Sequence, residues 1–233
     1  MKTKTFVTLD TESTGLGRKA LAFDVGYTIA TRKDVILSRQ FLIREILTDP
    51  RVMLGAMNNG DWRDMMGAKL FNAYIPALDA SEFRLASWQE FTRTLRDDMA
   101  THSVDVFAAY NLPFDMRALA QTQAHILGAG KVLDYRPDLL CLWNFSASTV
   151  CKRPTYHKAA QQFGWISDAG NVRTNAEKVY AYLTGNFDFI EKHTALDDAL
   201  IETEILQRLL AAKKPIPYNE LDHGAWRKAQ QIS

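Results

Sequence analysis

HTALDDALIETEILQRLL, residues 193–210, decides how the chain is read. His193 stands just ahead of a helix-forming run, and Asp197 and Asp198 follow in succession. At about 3.6 residues per turn, Asp198 shares a face with Ala195, Ile201, Ile205 and Leu209. Asp197 points about 100° away, toward Glu204 and Arg208. An aspartate on an apolar face is costly unless it is paired or holds a cation. Asp198 therefore needs a partner, and Asp197 does not. His193 can reach back over the face that carries Asp198. A neutral imidazole beside a metal cluster can take a proton from water at physiological pH.

Two other acidic sites lie upstream. TFVTLD, residues 5–10, is β-branched and aromatic, so it reads as a strand. TESTGLG, residues 11–17, has turn chemistry. Side chains alternate along a strand, so Asp10 and Glu12 share a face, about 7 Å apart along the backbone. Such a pair at a strand's end can converge on one hard cation. In Asn111-Leu112-Pro113-Phe114-Asp115, a strand ends and a helix begins. Pro113 suits the first turn, and the helix macrodipole favours an anion at Asp115. Taken singly, each site has a plain structural explanation: a solvated loop acid, a helix cap at Asn111, a dipole aspartate at Asp115.

Between these sites the pattern predicts strands at 23–30 and 35–43, joined as an antiparallel meander, and a buried strand at 104–109. Ser87 reads as the N-cap of a helix with Trp88, Phe91, Leu95 and Met99 on one stripe. Further helices are expected over about 112–126, 139–143, 155–163, 175–183 and 194–212, with a short strand at 131–134. Residues 44–87 hold Met53, Met57, Met65, Met66 and Asn58-Asn59-Gly60, with little periodicity. They read as an irregular excursion at one sheet edge. We expect one α/β domain over 1–212 and a polar tail over 213–233.

Composition narrows the function classes. The chain has 233 residues, 47% apolar and 24% charged, which is ordinary for a soluble globular protein. Lys plus Arg is 28 and Asp plus Glu is 27, a net charge of +1. That is not the basicity of a protein coating long duplexes, so a nucleic-acid site would be a local groove or end pocket. Cys141 and Cys151 have no zinc-type spacing and read as reduced core thiols. The N-terminus lacks the apolar stretch of a signal peptide, and no apolar run is long enough to span a membrane, so an intracellular (cytoplasmic) location is expected. The run Lys152, Arg153, Tyr156, His157, Lys158 reads as a solvated helix start more readily than as a phosphate contact.

The order Asp-x-Glu, then Asn-x-x-x-Asp, then His-x-x-x-x-Asp resembles the DEDDh branch of the 3′–5′ exonucleases, the family of proofreading exonuclease domains, oligoribonucleases and RNase T. LDTESTGL, NLPFD and HTALDDA carry the resemblance, in order, over about 200 residues. The sister branch would place a tyrosine at position 194, where this chain has threonine.

The resemblance implies an RNase H-like fold, a five-stranded mixed sheet with one antiparallel strand and flanking helices. It implies two Mg²⁺ or Mn²⁺ ions held by Asp10, Glu12, Asp115 and Asp198. By similarity Asp10 would bridge both ions, Glu12 and Asp198 would hold the one that activates water, Asp115 the other, and His193 would be the general base. Oxygen ligands suit these hard cations rather than zinc. At the nucleic-acid end, Thr14 would bond the 3′-hydroxyl, Leu16 would press on the last base, and Asn111 and Phe114 would complete the terminal pocket. The implied activity is release of nucleoside 5′-monophosphates from 3′ ends of single-stranded DNA or RNA. Alternatives are a trimmer of short RNA and a silent module that binds nucleic-acid ends. A homodimer, or a polymerase as replication partner, stays open.

Overall fold

The computed structural model describes residues 4–57, 74–80, 83–133, 136–222 and 224–230. Asn58-Asn59-Gly60, Met65 and Met66 lie outside them. Among the described residues, six strands form one sheet in the order β4-β3-β2-β1-β5-β6. They are β1 (Phe6–Ser13), β2 (Ala22–Ala30), β3 (Val35–Ile43), β4 (Leu85–Ala86), β5 (Val106–Ala109) and β6 (Asp138–Cys141). β1, β2 and β3 form the expected antiparallel meander, and the remaining pairings are parallel. Only β2 therefore runs against the rest. The sheet has one strand more than expected: β4, two residues paired beside β3 at Leu42 and Ile43.

The helices among the described residues are α1 (Arg44–Leu47), α2 (Pro50–Met57), α3 (Ile75–Asp79), α4 (Trp88–Thr101) and α5 (Leu112–Leu127). After them come α6 (Leu142–Thr149), α7 (Pro154–Gln162), α8 (Ala176–Thr184), α9 (Ala195–Ala211) and α10 (Trp226–Ala229). None is long and apolar enough to cross a membrane.

Alternation along β1 sorts two cores onto opposite sheet faces. Val7 and Leu9 join Trp88, Phe91, Leu95, Met99 and Leu119 from α4 and α5. Phe6 joins Phe145, Ile205, Leu206 and Leu209 from α6 and α9. Ser87 Oγ accepts the Glu90 N–H at 3.1 Å and caps α4. β2 is buried along its whole length because helices cover both faces.

Three local expectations fail. Thr11–Ser13 ends β1 rather than opening a turn, Lys131–Leu133 is not a strand, and Leu139–Cys141 is strand rather than helix. An apolar run this short carries no period that separates strand from helix; pairing of Phe107 with Leu139 and Ala109 with Cys141 decides it. The segment after α9 packs back on the fold: the Asn219 N–H donates to Leu139 O at 2.7 Å, and Ala225 and Ala229 are buried.

Candidate active site

The same alternation that sorts the cores aims the acids. Asp10 and Glu12 share the parity of Phe6 and face α9. Thr11 shares the parity of Val7 and Leu9 and faces α5. Asp115, in the first turn of α5, accepts both the Thr11 N–H at 3.1 Å and the Thr11 hydroxyl at 2.8 Å on Oδ1. β1 thus collects acids from both sides at its C-terminal end.

α9 is brought onto this end by a glycine. Gly26 lies opposite Asp10 on β2. A Cβ there would meet the Ala195 carbonyl carbon and the Leu196 nitrogen at 2.2 Å each. Only a residue without a side chain lets the helix start rest on the strand. Asp24, one turn of the pleat away and opposite Glu12, accepts the Ala195 N–H at 3.1 Å on Oδ2. That carboxylate also accepts Tyr74 Oη at 2.7 Å and Gln40 Nε2 at 2.9 Å. It satisfies one of the orphan donors at the start of α9.

Glu12, His193 and Asp198 offer ligand atoms that all lie within 4.8 Å of one another. His193 Nδ1 is 3.9 Å from Asp198 Oδ2 and 3.9 Å from Glu191 Oε2. His193 has φ 59°, a left-handed backbone that histidine tolerates better than most residues, and its side chain is 51% exposed. Asp198 is mostly covered, while Asp197 is more open. Asp197 Oδ2 accepts the Thr194 hydroxyl at 2.7 Å, and Lys192 Nζ lies 3.5 Å from its Oδ1. The two adjacent aspartates thus have different company: one faces the acids, the other braces the helix start.

The charges are crowded. Asp10 retains some solvent exposure, yet burial and the charges of Glu202, Asp115, Glu12 and Asp198 push its carboxyl well above the usual range. Burial pushes Asp115 up to about 7 against the pull of its Thr11 bonds. This arrangement fits hard divalent cations: oxygen donors converge, and their mutual repulsion is what bound cations would relieve. The imidazole within the 4.8 Å group can serve as a ligand or as a proton acceptor.

Two acids that the sequence reading did not single out belong to this neighbourhood. Glu202, one helical turn after Asp198, is 2% exposed, and its Oε2 accepts the Tyr110 N–H at 2.9 Å. Burial first, then the charge of Asp115, raises its carboxyl well above the normal range. Glu191 stands beside His193, with its backbone N–H donating to Glu177 Oε2 at 3.2 Å. The i,i+4 spacing of Asp198 and Glu202 was the available signal for the first.

Thr14 Oγ1 accepts the Leu21 N–H at 3.1 Å, so that oxygen helps close the β1–β2 loop. Leu16 projects from the loop, 72% exposed. Asn111 is left-handed (φ 66°, ψ 45°) at the β5–α5 corner, and its side chain makes no cap bond. Phe114 is half-buried, with the Arg117 guanidinium 5.3 Å from its ring centre. The basic run near Lys152 is built into the fold: Tyr156 is buried, and His157 Nε2 lies 2.8 Å from Ala229 O. Both cysteines are buried and free.

No family model and no curated protein sequence matches this chain. Solved structures do. A complex of E. coli exonuclease I with a 5cy-dT13 oligonucleotide aligns with a TM-score of 0.55 at 13% identity, covering 92% of this chain and 41% of that one. The fold is RNase H-like. A product-bound exonuclease I structure aligns at 0.53, with 13% identity, over 90% of this chain and 44% of that one. A full-length 3′-exonuclease aligns at 0.53, with 10% identity, over 97% of this chain and 66% of that one. This chain spans less than half the length of exonuclease I, and at these identities the likeness concerns architecture alone.

Proposed function

We propose that this protein is a metal-dependent 3′–5′ exonuclease of the DEDDh type that releases nucleoside 5′-monophosphates from single-stranded ends. The observation that carries the reading is the meeting of Glu12, His193 and Asp198 within 4.8 Å, beside Asp10 and Asp115, from three separate elements of the fold. That the structural neighbours are exonucleases, one with a thymidine oligonucleotide and another a zinc-bound complex with single-stranded DNA, supports the substrate class and a metal requirement.

Asp10, Glu12, Asp115 and Asp198 would hold two Mg²⁺ or Mn²⁺ ions. Such ions, when bound, lower the pKa of water and neutralise charge on the attacking and leaving oxygens of an in-line displacement. His193, exposed at the mouth of the cluster, accepts the proton of the attacking water and passes it to solvent. Asp198 and Glu191 flank its Nδ1 at 3.9 Å each. Thr11 fixes Asp115 from β1. Leu16 and Phe114 hold the last base, and Thr14 and Asn111 frame the terminal sugar.

The test is purified protein with Mn²⁺, Mg²⁺ or EDTA against 3′- and 5′-labelled single-stranded DNA, single-stranded RNA and duplex. Stepwise shortening from the 3′ end, with monophosphate release only in the metal arms, is the expected result. Binding without shortening in any metal arm would leave a silent end-binding module instead.

A further inference from the structure

The segment that carries His193 also builds a second concavity, outside the acidic cluster. Phe163, Trp165, Arg173, Lys178, Phe187 and Ile190 line a cavity of about 560 Å³. Phe163 and Phe187 stack with ring centres 4.3 Å apart and planes 13° apart, and Trp165 lies 5.6 Å from Phe163. Rings that merely fill a core are buried. Here Phe163 is 37% exposed, Phe187 36% and Ile190 77%. The left-handed Gly164 (φ 70°), which follows α7, turns the chain between Phe163 and Trp165.

Two cations border the rings. Lys178 Nζ sits 5.8 Å from the Trp165 ring centre and also pairs with Glu177. Arg173 is exposed, while its backbone is pinned by a 2.8 Å bond to Trp165 O and a 2.7 Å bond from Tyr156 Oη. Among the described residues, Asp188 is the single acid in the lining. Aromatic faces with flanking cations form the surface on which single strands stack their bases and rest their phosphates. A plain apolar docking face for another protein does not call for the cations.

The cavity and the cluster are joined by a short piece of chain. Ile190 precedes His193 by three residues, at most about 11 Å of backbone. That upper bound, from the rim of the cavity to His193, is spanned by roughly three stacked nucleotides at about 3.4 Å each. Glu191, between them, is bonded to Glu177 through its N–H and lies 3.9 Å from His193 through its carboxylate.

We propose that this cavity is an upstream subsite for single-stranded nucleic acid, stacking bases on Phe163 and Phe187 and meeting phosphates with Arg173 and Lys178. The proposal rests on the nuclease reading for the placement of the 3′ end in the acidic cluster.

Fluorescence anisotropy with labelled oligothymidylates of about three and about twelve nucleotides, in EDTA, tests it, with Mn²⁺-dependent cleavage followed in parallel. The full chain is compared with Phe187→Ala and Arg173→Glu, both surface changes whose folding is checked by thermal melting. The expected result is tenfold or tighter binding of the longer strand by the wild type, falling to about threefold or less in each variant. An unchanged length preference in both variants, or none in the wild type, overturns the subsite and gives the patch to a protein partner. Cavity-dependent binding without cleavage keeps the subsite and removes the nuclease reading. Cleavage with binding indifferent to the cavity does the reverse.

Discussion

Glu202 Oε2 accepts the backbone N–H of Tyr110 at 2.9 Å, and this bond ties α9 to the corner where β5 gives way to α5. Asp198 and Asp115 sit on the two elements it joins. Glu202→Gln keeps an acceptor for Tyr110 and removes one acid from the cluster. At pH 8 in EDTA it should melt a few degrees higher than the wild type. Glu202→Leu leaves the N–H unpartnered, a loss of about 1–3 kcal/mol, and should melt lower than Glu202→Gln. Equal melting of the two variants by scanning fluorimetry would deny the bond its role.

The adjacent aspartates should separate cleanly in a cleavage assay. Asp198→Asn and Asp10→Ala should abolish metal-dependent shortening of a 5′-labelled strand. Asp197→Asn retains an oxygen for the Thr194 hydroxyl and should stay within about twofold of wild type. Reversal of the two outcomes would mean that the face of α9 has been assigned the wrong way round.

His193→Ala should slow cleavage by roughly 10²–10⁴, the usual contribution of a positioned proton acceptor. Mn²⁺ affinity, followed by calorimetry, should change little. A collapse of affinity to match the rate would make His193 a ligand rather than a base.

Gly26→Ala places a methyl group into the backbone of Ala195 and Leu196. Backbone cannot yield as a flexible side chain can. The expected cost is about 1–3 kcal/mol in urea unfolding, together with loss of most cleavage as α9 lifts away from β1. A variant of full activity would show that the helix start tolerates displacement.

Stability without metal should depend on pH in a definite sense. Asp115 rises from 3.8 to about 7, and burial lifts Asp24 to about 6 against its hydrogen bonds. The folded state keeps protons that the unfolded chain has already released, so stability is greatest below about pH 4 on this account. It declines through pH 7 and levels off above. In EDTA the melting temperature should be lower at pH 8 than at pH 5, and Mn²⁺ should restore most of the difference at pH 8. A melting temperature flat between those pH values would contradict the crowding of buried carboxyls.

Where the sequence could be read, local signals were strong. β1 to β3 announce themselves by β-branched runs, α4 by Ser87 and its stripe, and α9 by its apolar face. β6 leaves no periodic signal because it is four residues long, and β4, at two residues, leaves less. At the site, the order of Asp10, Glu12, Asp115, His193 and Asp198 along the chain was legible. The companions were not. Glu202 meets a backbone N–H 92 residues away, and Asp24 meets one 171 residues away, and such pairings leave no local trace. The cavity of Phe163 and Phe187 was likewise invisible, since aromatics usually mean core.

Asn111 and His193 are both left-handed without being glycine; one immediately precedes the helix that carries Asp115, the other stands just ahead of the helix that carries Asp198. Each holds a conformation that costs roughly 1–2 kcal/mol for an L-residue in general, less for these two types. Glycine at these corners would relieve that strain but lose more chain entropy on folding, so any net gain in heat resistance is small. At one of them the gain would strip away the imidazole, so a hardier descendant of this protein would tend to be a slower one.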